Sequence, residues 1–291
     1  MNTEANTLFD VPGPRGRRRI RIATALSLVA IGALALLAVH RFADHGMLAA
    51  DQWRMFTQWP TLRFLLVGVQ ATVVVTAVAA AIAFPLGALV ALARLSQSRY
   101  LRWPARAYVE IFRAIPILLL LYVFLFGLPR LGLTLPTFWQ LVVPIVASNS
   151  AVIAEICRAG ILALDRGQSE AAYSLGMTYR RAMHHVVIPQ AVRKVTPTLV
   201  GQLVRLLKDS TLGYVVSYIE LLHQAQVLGE YYHIVLPAYL VVAAVYVAIN
   251  MALSRLAHHL ENRTGLRVRR TRKTSDTART RLISPFLGRT R

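Results

Sequence analysis

Six apolar runs divide the chain, at roughly 22–39, 62–92, 109–128, 138–160, 192–217 and 234–256. Each is close to or longer than the ~20 residues that a helix needs to cross a bilayer. Only helices and closed barrels satisfy every backbone group in lipid, and runs of this length predict helices. The fifth run differs from the others because Arg205, Lys208 and Asp209 interrupt it. A span carrying those residues has to face a protein interior or an aqueous path. Pro85, inside the second run, removes a backbone hydrogen bond and predicts a bend there. The pattern as a whole predicts an all-α, polytopic membrane bundle of about six transmembrane helices.

Composition supports that picture. Of the 291 residues 56% are hydrophobic and only 16% are charged, where a soluble domain has about a quarter charged. Mean hydropathy is +0.49. The net charge of +20 would suit nucleic acid, but its placement argues against that partner. Arg15, Arg17, Arg18, Arg19 and Arg21 precede the first run, and Arg94, Arg99, Arg102 and Arg106 share one loop. Further basic residues lie at 161–191 and from Arg255 to the C-terminus. These are flanks of apolar runs, so they read as topology signals and contacts with anionic membrane lipid.

Placing both termini in the cytoplasm gathers the 94–106 loop, the 161–191 loop and the tail on one side. The opposite segments, 40–61, 129–137 and 218–233, then hold only Arg41, Arg54 and Arg130 as Lys or Arg. Trp53, Trp59, Trp139, Tyr231 and Tyr232 fall at that outer interface, where amphipathic rings are favoured. The first run is longer than a signal-peptide core and no Ala-x-Ala exit follows it, so it reads as an uncleaved anchor. Cys157 is the only cysteine, which excludes an intrachain disulfide.

The loop between the fourth and fifth runs holds Gly167-Gln168-Ser169-Glu170-Ala171-Ala172-Tyr173-Ser174-Leu175-Gly176-Met177, closed by Val186-Val187-Ile188-Pro189-Gln190-Ala191. Ser169 is the expected N-cap, which places Glu170 in a first turn where the helix dipole favours a carboxylate. Ala171 and Ala172 have almost no side chain and let another surface approach the backbone. Leu175 shares a face with Ala171. Gly176 suits the left-handed conformation that ends a helix, and Pro189 is expected to block continuation and fix the entry to the next span. The result is a polar helix at about 169–176, of a shape that inserts into a groove on another protein.

This loop resembles the EAA loop of ABC importer permeases. Ser148-Asn149-Ser150-Ala151 and Glu155-Ile156-Cys157-Arg158-Ala159-Gly160-Ile161 are similar to the segment before that loop in polar amino acid permeases. Pro189-Gln190-Ala191-Val192-Arg193, Lys208-Asp209-Ser210-Thr211-Leu212 and Tyr108-Val109-Glu110-Ile111-Phe112-Arg113-Ala114-Ile115-Pro116 extend the resemblance. It covers about 60–257 and is greatest to permeases for glutamate and related amino acids. Cys157 and Ala159 depart from the aromatic and the glycine expected at those positions.

The resemblance implies a MetI-like fold. Run length and charge, together with the resemblance over 60–257, divide the chain into a basic cytoplasmic tail at 1–21, a first membrane helix and external segment at 22–60, and a permease transmembrane domain at 61–257. The EAA loop lies at about 165–190, and a basic unstructured tail at 258–291. The resemblance implies that Glu170, Ala171, Ala172, Leu175, Gly176 and Pro189 dock an ABC ATPase dimer. The other implied partners are a second permease, identical or homologous, and an extracytoplasmic amino-acid-binding protein. The implied location is a bacterial inner membrane. No cofactor is expected on this chain; ATP and Mg would be bound by the ATPase.

Polar and charged residues in the spans supply a candidate substrate path: Asn149, Glu155, Arg158, Arg205, Lys208 and Asp209. Glu155 and Arg158 are spaced to pair, as are Glu110 and Arg113. Lys208 and Asp209 are adjacent and point in different directions. The alternative is that these groups only lock helices together or reach the cytoplasmic interface. If the substrate is glutamate, its second carboxylate favours Arg205 and Lys208.

The sequence has no phosphate-loop motif and no His-Glu-x-x-His, and His184-His185 and His258-His259 lack the spacing of a helical metal site. No catalytic or metal residue is predicted, and the chain is read as a transport subunit. An ion-driven carrier would need its own coupling-ion site and leaves the Gly176 loop unexplained. A membrane-embedded hydrolase or transferase would need a nucleophile or metal constellation, and none is evident in the sequence.

Overall fold

The computed structural model describes residues 13–263. Residues 1–12 and 264–291 lie outside that range, and with them most of the expected basic tail. The described residues form helices and no strand. Helix α1 spans Pro14–Asp44, α2 Trp59–Leu95, α3 Arg99–Ala114 and α4 Ile117–Tyr122. Then come α5 at Thr137–Leu162, α6 at Arg166–Ser174 and α7 at Tyr179–Ala182. Helices α8 at Ile188–Asp209, α9 at Leu221–Tyr231 and α10 at Val235–Arg263 complete the order.

Among the described residues, four helices are long and apolar enough to cross a membrane: Pro14–Asp44, Trp59–Leu95, Thr137–Leu162 and Val235–Leu256. Arg99–Ala114 with Ile117–Arg130 counts as a fifth span only across a 99° bend. The third apolar run is therefore not the straight span that the sequence predicts. Pro116 explains the break. It holds Ile115 in an extended conformation, φ −84° and ψ 125°, and ends α3 there. The run at 192–217 is helical, as α8 followed by the 3-10 turn Ser210–Val216. Its charges keep it out of the apolar set.

Two further boundaries differ from expectation. The basic stretch expected as a tail is the start of α1, because Pro14 at the first helical position is preset for a helix and Arg is a good helix former. Helix α10 runs on to Arg263, beyond the expected limit at 258. Pro85 lies inside α2, which continues through it.

The chain divides into two compact units, Met1–Val67 with Gln224–Ala243 and Gly68–His223 with Ala244–Arg291. The first unit includes α1, none of whose residues is buried. The second holds the main core. Leu141, Val142, Ile145 and Ile153 of α5 pack against Val75, Ala79 and Ala83 of α2, Leu121 of α4 and Leu206 of α8. Between helices in lipid, close packing replaces the hydrophobic drive, so small residues matter. Gly87 of α2 is such a position: a Cβ there would lie 2.6 Å from Ile153 Cγ2 and 2.8 Å from the Ser150 carbonyl oxygen. Gly160 of α5 is another, with Val195 Cγ1 of α8 only 2.0 Å from the site of a Cβ.

Candidate docking helix and polar path

Helix α6 is the predicted polar helix, shifted towards the N-terminus. Its N-cap is Asp165, whose carboxylate accepts from the Gly167 amide at 2.9 Å, and not Ser169. Ser169 instead donates its hydroxyl to the Arg166 carbonyl at 2.9 Å. Glu170 consequently sits mid-helix. The C-terminal end is as the sequence predicts. Gly176 has φ +77°, its amide donates to the Tyr173 carbonyl at 2.9 Å, and the Met177 amide donates to the Ala172 carbonyl at 3.1 Å. This pair of bonds is the Schellman closure, which only glycine adopts without strain.

Glu170, Ala171, Ser174 and Leu175 are exposed along one side of α6, and Leu175 is 81% exposed. Ala172, expected on the same small-residue face, is turned inward and buried. Pro189 does not interrupt the chain. Helix α7 continues through the π-helical turn Met183–Val187 into α8, with Pro189 in the first turn of α8 where its missing amide costs little.

Two contacts tie the loop to its neighbours. Lys194 donates to the Ala163 carbonyl, the C-cap of α5, at 2.5 Å. The Gln190 side-chain amide donates to Gln168 at 3.0 Å. Burial, with Tyr173 adding, pushes the Tyr179 hydroxyl above its ordinary range.

At the end of α5 next to this loop, Glu155 accepts hydrogen bonds from Arg158 and Arg94 and forms an ion pair with Arg113. Arg158 lies at 2.5 Å, Arg94 is in direct contact, and Arg113 is at 3.6 Å. The expected Glu155–Arg158 pair is present. The expected Glu110–Arg113 pair is not: Glu110 pairs with Arg106 one turn earlier, at 2.7 Å, and Arg113 reaches towards Glu155 instead. The sequence counted Arg94 only as a topology charge. Nothing local marks it as the partner of a residue 61 positions away.

Asn149 is buried, and its amide donates to Asp209 Oδ2 at 2.9 Å and to the Ile145 carbonyl at 3.0 Å. Its oxygen accepts from the Gln202 side chain at 2.6 Å. Gln202 was missed by the sequence reading. Its spacing from Leu206 and Asp209, four and seven residues, was the available signal. Arg205 and Lys208 are exposed on α8, Arg205 one turn before Asp209 and on the flank next to it. Lys208 borders a groove of about 410 Å³ shared with Asn250, Ser254 and Arg255 of α10, and the Asn250 side-chain oxygen is buried there without a partner. The candidate path residues therefore fall into three places: the Glu155–Arg158 cluster, the buried Asn149–Gln202–Asp209 network, and the exposed Arg205–Lys208 side. Among the described residues no group of His, Cys, Asp and Glu is arranged to hold a metal ion.

One broken span, a core built on α5 and a short polar helix between α5 and α8 belong to the permease class of ABC importers, as the matches to known proteins show. The crystal structure of an amino acid ABC transporter with histidines superposes with a TM-score of 0.69 at 32% identity, covering 74% of this chain and 100% of that one. Residues 83–266 match the binding-protein-dependent transport system inner membrane component, and the chain belongs to that family. It is 40% identical over 192 residues to the probable glutamine ABC transporter permease protein GlnM of Bacillus subtilis, covering 66% of this chain and 89% of that protein. It is 35% identical over 238 residues to the glutamate transport system permease protein GluD of Corynebacterium glutamicum, covering 79% and 85%. The chain is thus a multi-pass membrane transport subunit.

Proposed function

We propose that this chain forms half of the transmembrane path of an ABC importer for a polar amino acid, glutamate or a close relative. A separate ATPase dimer docks on α6, and ATP and Mg are bound there and not on this chain. An external binding protein delivers the substrate, and both termini lie in the cytoplasm. The observation that carries the docking role is the α6 hairpin. Its exposed side, Glu170, Ala171, Ser174 and Leu175, is held by a glycine closure and by the hydrogen bond from Gln190 to Gln168.

The exposed polar side of α8 supports a paired permease. Arg205 and Lys208 sit in a span but face away from the core of their own chain, so a water-filled path beside a second subunit has to receive them. Two cations on this side, with the Lys208–Arg255 groove, favour a substrate that carries an extra carboxylate. The glutamate name of the Corynebacterium relative fits that chemistry, whereas glutamine, named for the Bacillus relative, has a neutral amide in place of the second carboxylate.

The test is reconstitution of the chain with its ATPase and binding protein, followed by uptake of labelled glutamate, glutamine, aspartate and arginine. Gly176→Asp is expected to abolish uptake and ATPase recovery together. Lys208→Gln is expected to lower uptake of glutamate more than of glutamine. Uptake that persists without any ATPase overturns the importer reading, and unchanged preference in Lys208→Gln overturns the substrate assignment.

A further inference from the structure

Helix α3 carries three separate faces at helical spacing. Ala105 and Val109 are buried, with Tyr108 and Phe112 half-buried beside them. This face holds α3 on α5: Val109 packs with Ala151 and Ala154, and the Tyr108 hydroxyl hydrogen-bonds Ser150 Oγ at 2.7 Å. The second face is apolar and open. Tyr100, Trp103, Pro104, Ala107 and Ile111 follow one another at intervals of three, one, three and four residues, and all are exposed. Tyr100 is 91% and Trp103 58% exposed. The third face is basic and open, made by Arg99, Arg102, Arg106 and Arg113, with Glu110 as its one carboxylate.

A helix in the bilayer core does not carry four arginines on one side, and a helix in water does not leave an aromatic and aliphatic side bare. A helix lying in the interface does both. The 99° bend at Pro116 is the geometry that such a helix needs before the chain turns into the membrane as α4. We propose that α3 lies flat in the inner leaflet boundary and that its basic face binds the headgroups of anionic phospholipids. Tyr100, Trp103 and Ile111 enter the acyl boundary, and Arg99, Arg102 and Arg106 meet the phosphates.

The charge balance favours an anion. Arg106 has Glu110, while Arg113 shares Glu155 with Arg94 and Arg158. An anionic headgroup near Arg113 competes with Glu155. The lipid face is thereby linked to the end of α5 that leads into α6.

The test needs neither ATPase nor substrate, so its failure is distinct from failure of the importer reading. The full chain, with Trp103 left as the only tryptophan by Trp53→Phe, Trp59→Phe and Trp139→Phe, is placed in phosphatidylcholine vesicles. Either brominated phosphatidylglycerol or the same fraction of brominated phosphatidylcholine is included. Quenching of Trp103 by the brominated phosphatidylglycerol is expected to be at least about twofold the greater. That excess should fall with added salt and vanish in the triple variant R99Q/R102Q/R106Q. Equal quenching by the two lipids in the arginine-intact chain overturns the headgroup assignment. No quenching by either lipid means that protein covers the face, and overturns the proposal outright. Lipid extracted with the unsubstituted chain from cell membranes gives a second reading free of any mutation. Phosphatidylglycerol should be enriched over its share of the membrane, and absence of enrichment counts against the proposal.

Discussion

Replacing Gly160 by alanine tests the closest approach between the two central helices. The new Cβ would lie 2.0 Å from Val195 Cγ1, but 3.5 Å from Val195 Cβ and 3.8 Å from the Ala191 carbonyl oxygen. The conflict is thus with a single methyl group. Valine on a helix has one strongly preferred rotamer, so that methyl does not swing aside freely. Overpacking of this kind costs about 1–3 kcal/mol. Val195→Ala alone loses two methyls, but Val195 already borders an apolar crevice of about 90 Å³, so its packing is incomplete. A loss of about 1–2 kcal/mol is expected. In the double variant the methyl introduced at position 160 occupies the space that Cγ1 leaves. The two changes should then couple favourably by about 1–3 kcal/mol instead of adding. Thermal unfolding in detergent measures this, with a thiol-reactive dye reporting exposure of Cys157, the only cysteine and half-buried. Each kcal/mol corresponds to roughly 2–4 °C in Tm. Because Cys157 lines the same crevice, tryptophan emission serves as the second probe. Simple additivity, or a Gly160→Ala chain as stable as the wild type, refutes the reasoning.

Gly176→Ala should cost about 1–2 kcal/mol through its left-handed backbone alone, since nothing lies within 4 Å of a Cβ there. Recovery of the docked ATPase should fall roughly 5- to 30-fold while the bundle's Tm hardly moves, and Gly176→Asn should be milder. A Tm loss as large as the docking loss would show that the turn is needed for the bundle itself. Glu155→Gln strips the anion from Arg94, Arg113 and Arg158. With the carboxylate side chain 24% and Arg94 13% exposed, the expected loss is about 1–3 kcal/mol after allowance for solvent. An unchanged Tm would mean that the cluster holds nothing together. Asn149→Leu should destabilise by about 1–3 kcal/mol by leaving the Gln202 amide and Asp209 without their partner, and adding Gln202→Leu should recover part of that. A double variant worse than the sum of the singles would contradict the network.

What the sequence made legible was whatever rests on local pattern. Apolar run length marked the spans, and Gly176 marked the end of α6 because a positive φ leaves few alternatives. Local rules failed where two signals competed. Asp165 and Ser169 are both good caps, and the helix starts at the earlier one. Pro116 was read within an apolar run, although the residue before it is pushed out of helical geometry and the run breaks there. The Glu110–Arg113 pairing was read from spacing alone. Arg106 satisfies the same spacing rule on the other side, and Glu155 on another helix takes Arg113. The contacts that hold the site, Arg94 to Glu155, Asn149 to Asp209 and Lys194 to the end of α5, join residues that only the folded chain brings together.

Those long-range contacts decide how a push on α6 would travel. A helix joined to the membrane spans by slack loops absorbs displacement in the loops. Here the connection into α8 is helical throughout, from Tyr179 by way of the π turn. Lys194 ties the start of α8 to the C-cap of α5, and Gln190 ties it to α6. Glu155 then fastens the C-terminal part of α5 to Arg94 and Arg113. Displacement of α6 therefore loads α5 and α8 together. Along α8 the rise from Gln190 to Asp209 is about 28 Å, so this helix, with Pro197 inside it, is the continuous link from the α6 loop to the Asn149–Gln202–Asp209 network and to Lys208. On the proposed function, nucleotide binding shifts the transporter only by its differential affinity for two conformations. The element with two arrangements has to lie where helices slide and not where they are pinned. The Gly160–Val195 contact is a smooth, apolar crossing between α5 and α8, whereas Asn149–Asp209 is a hydrogen-bonded one. Sliding at the first crossing is thus expected to need release of the neighbouring Lys194–Ala163 tie, with the second crossing acting as the hinge. A cross-link spanning 160 and 195 should then arrest transport while leaving ATPase binding intact.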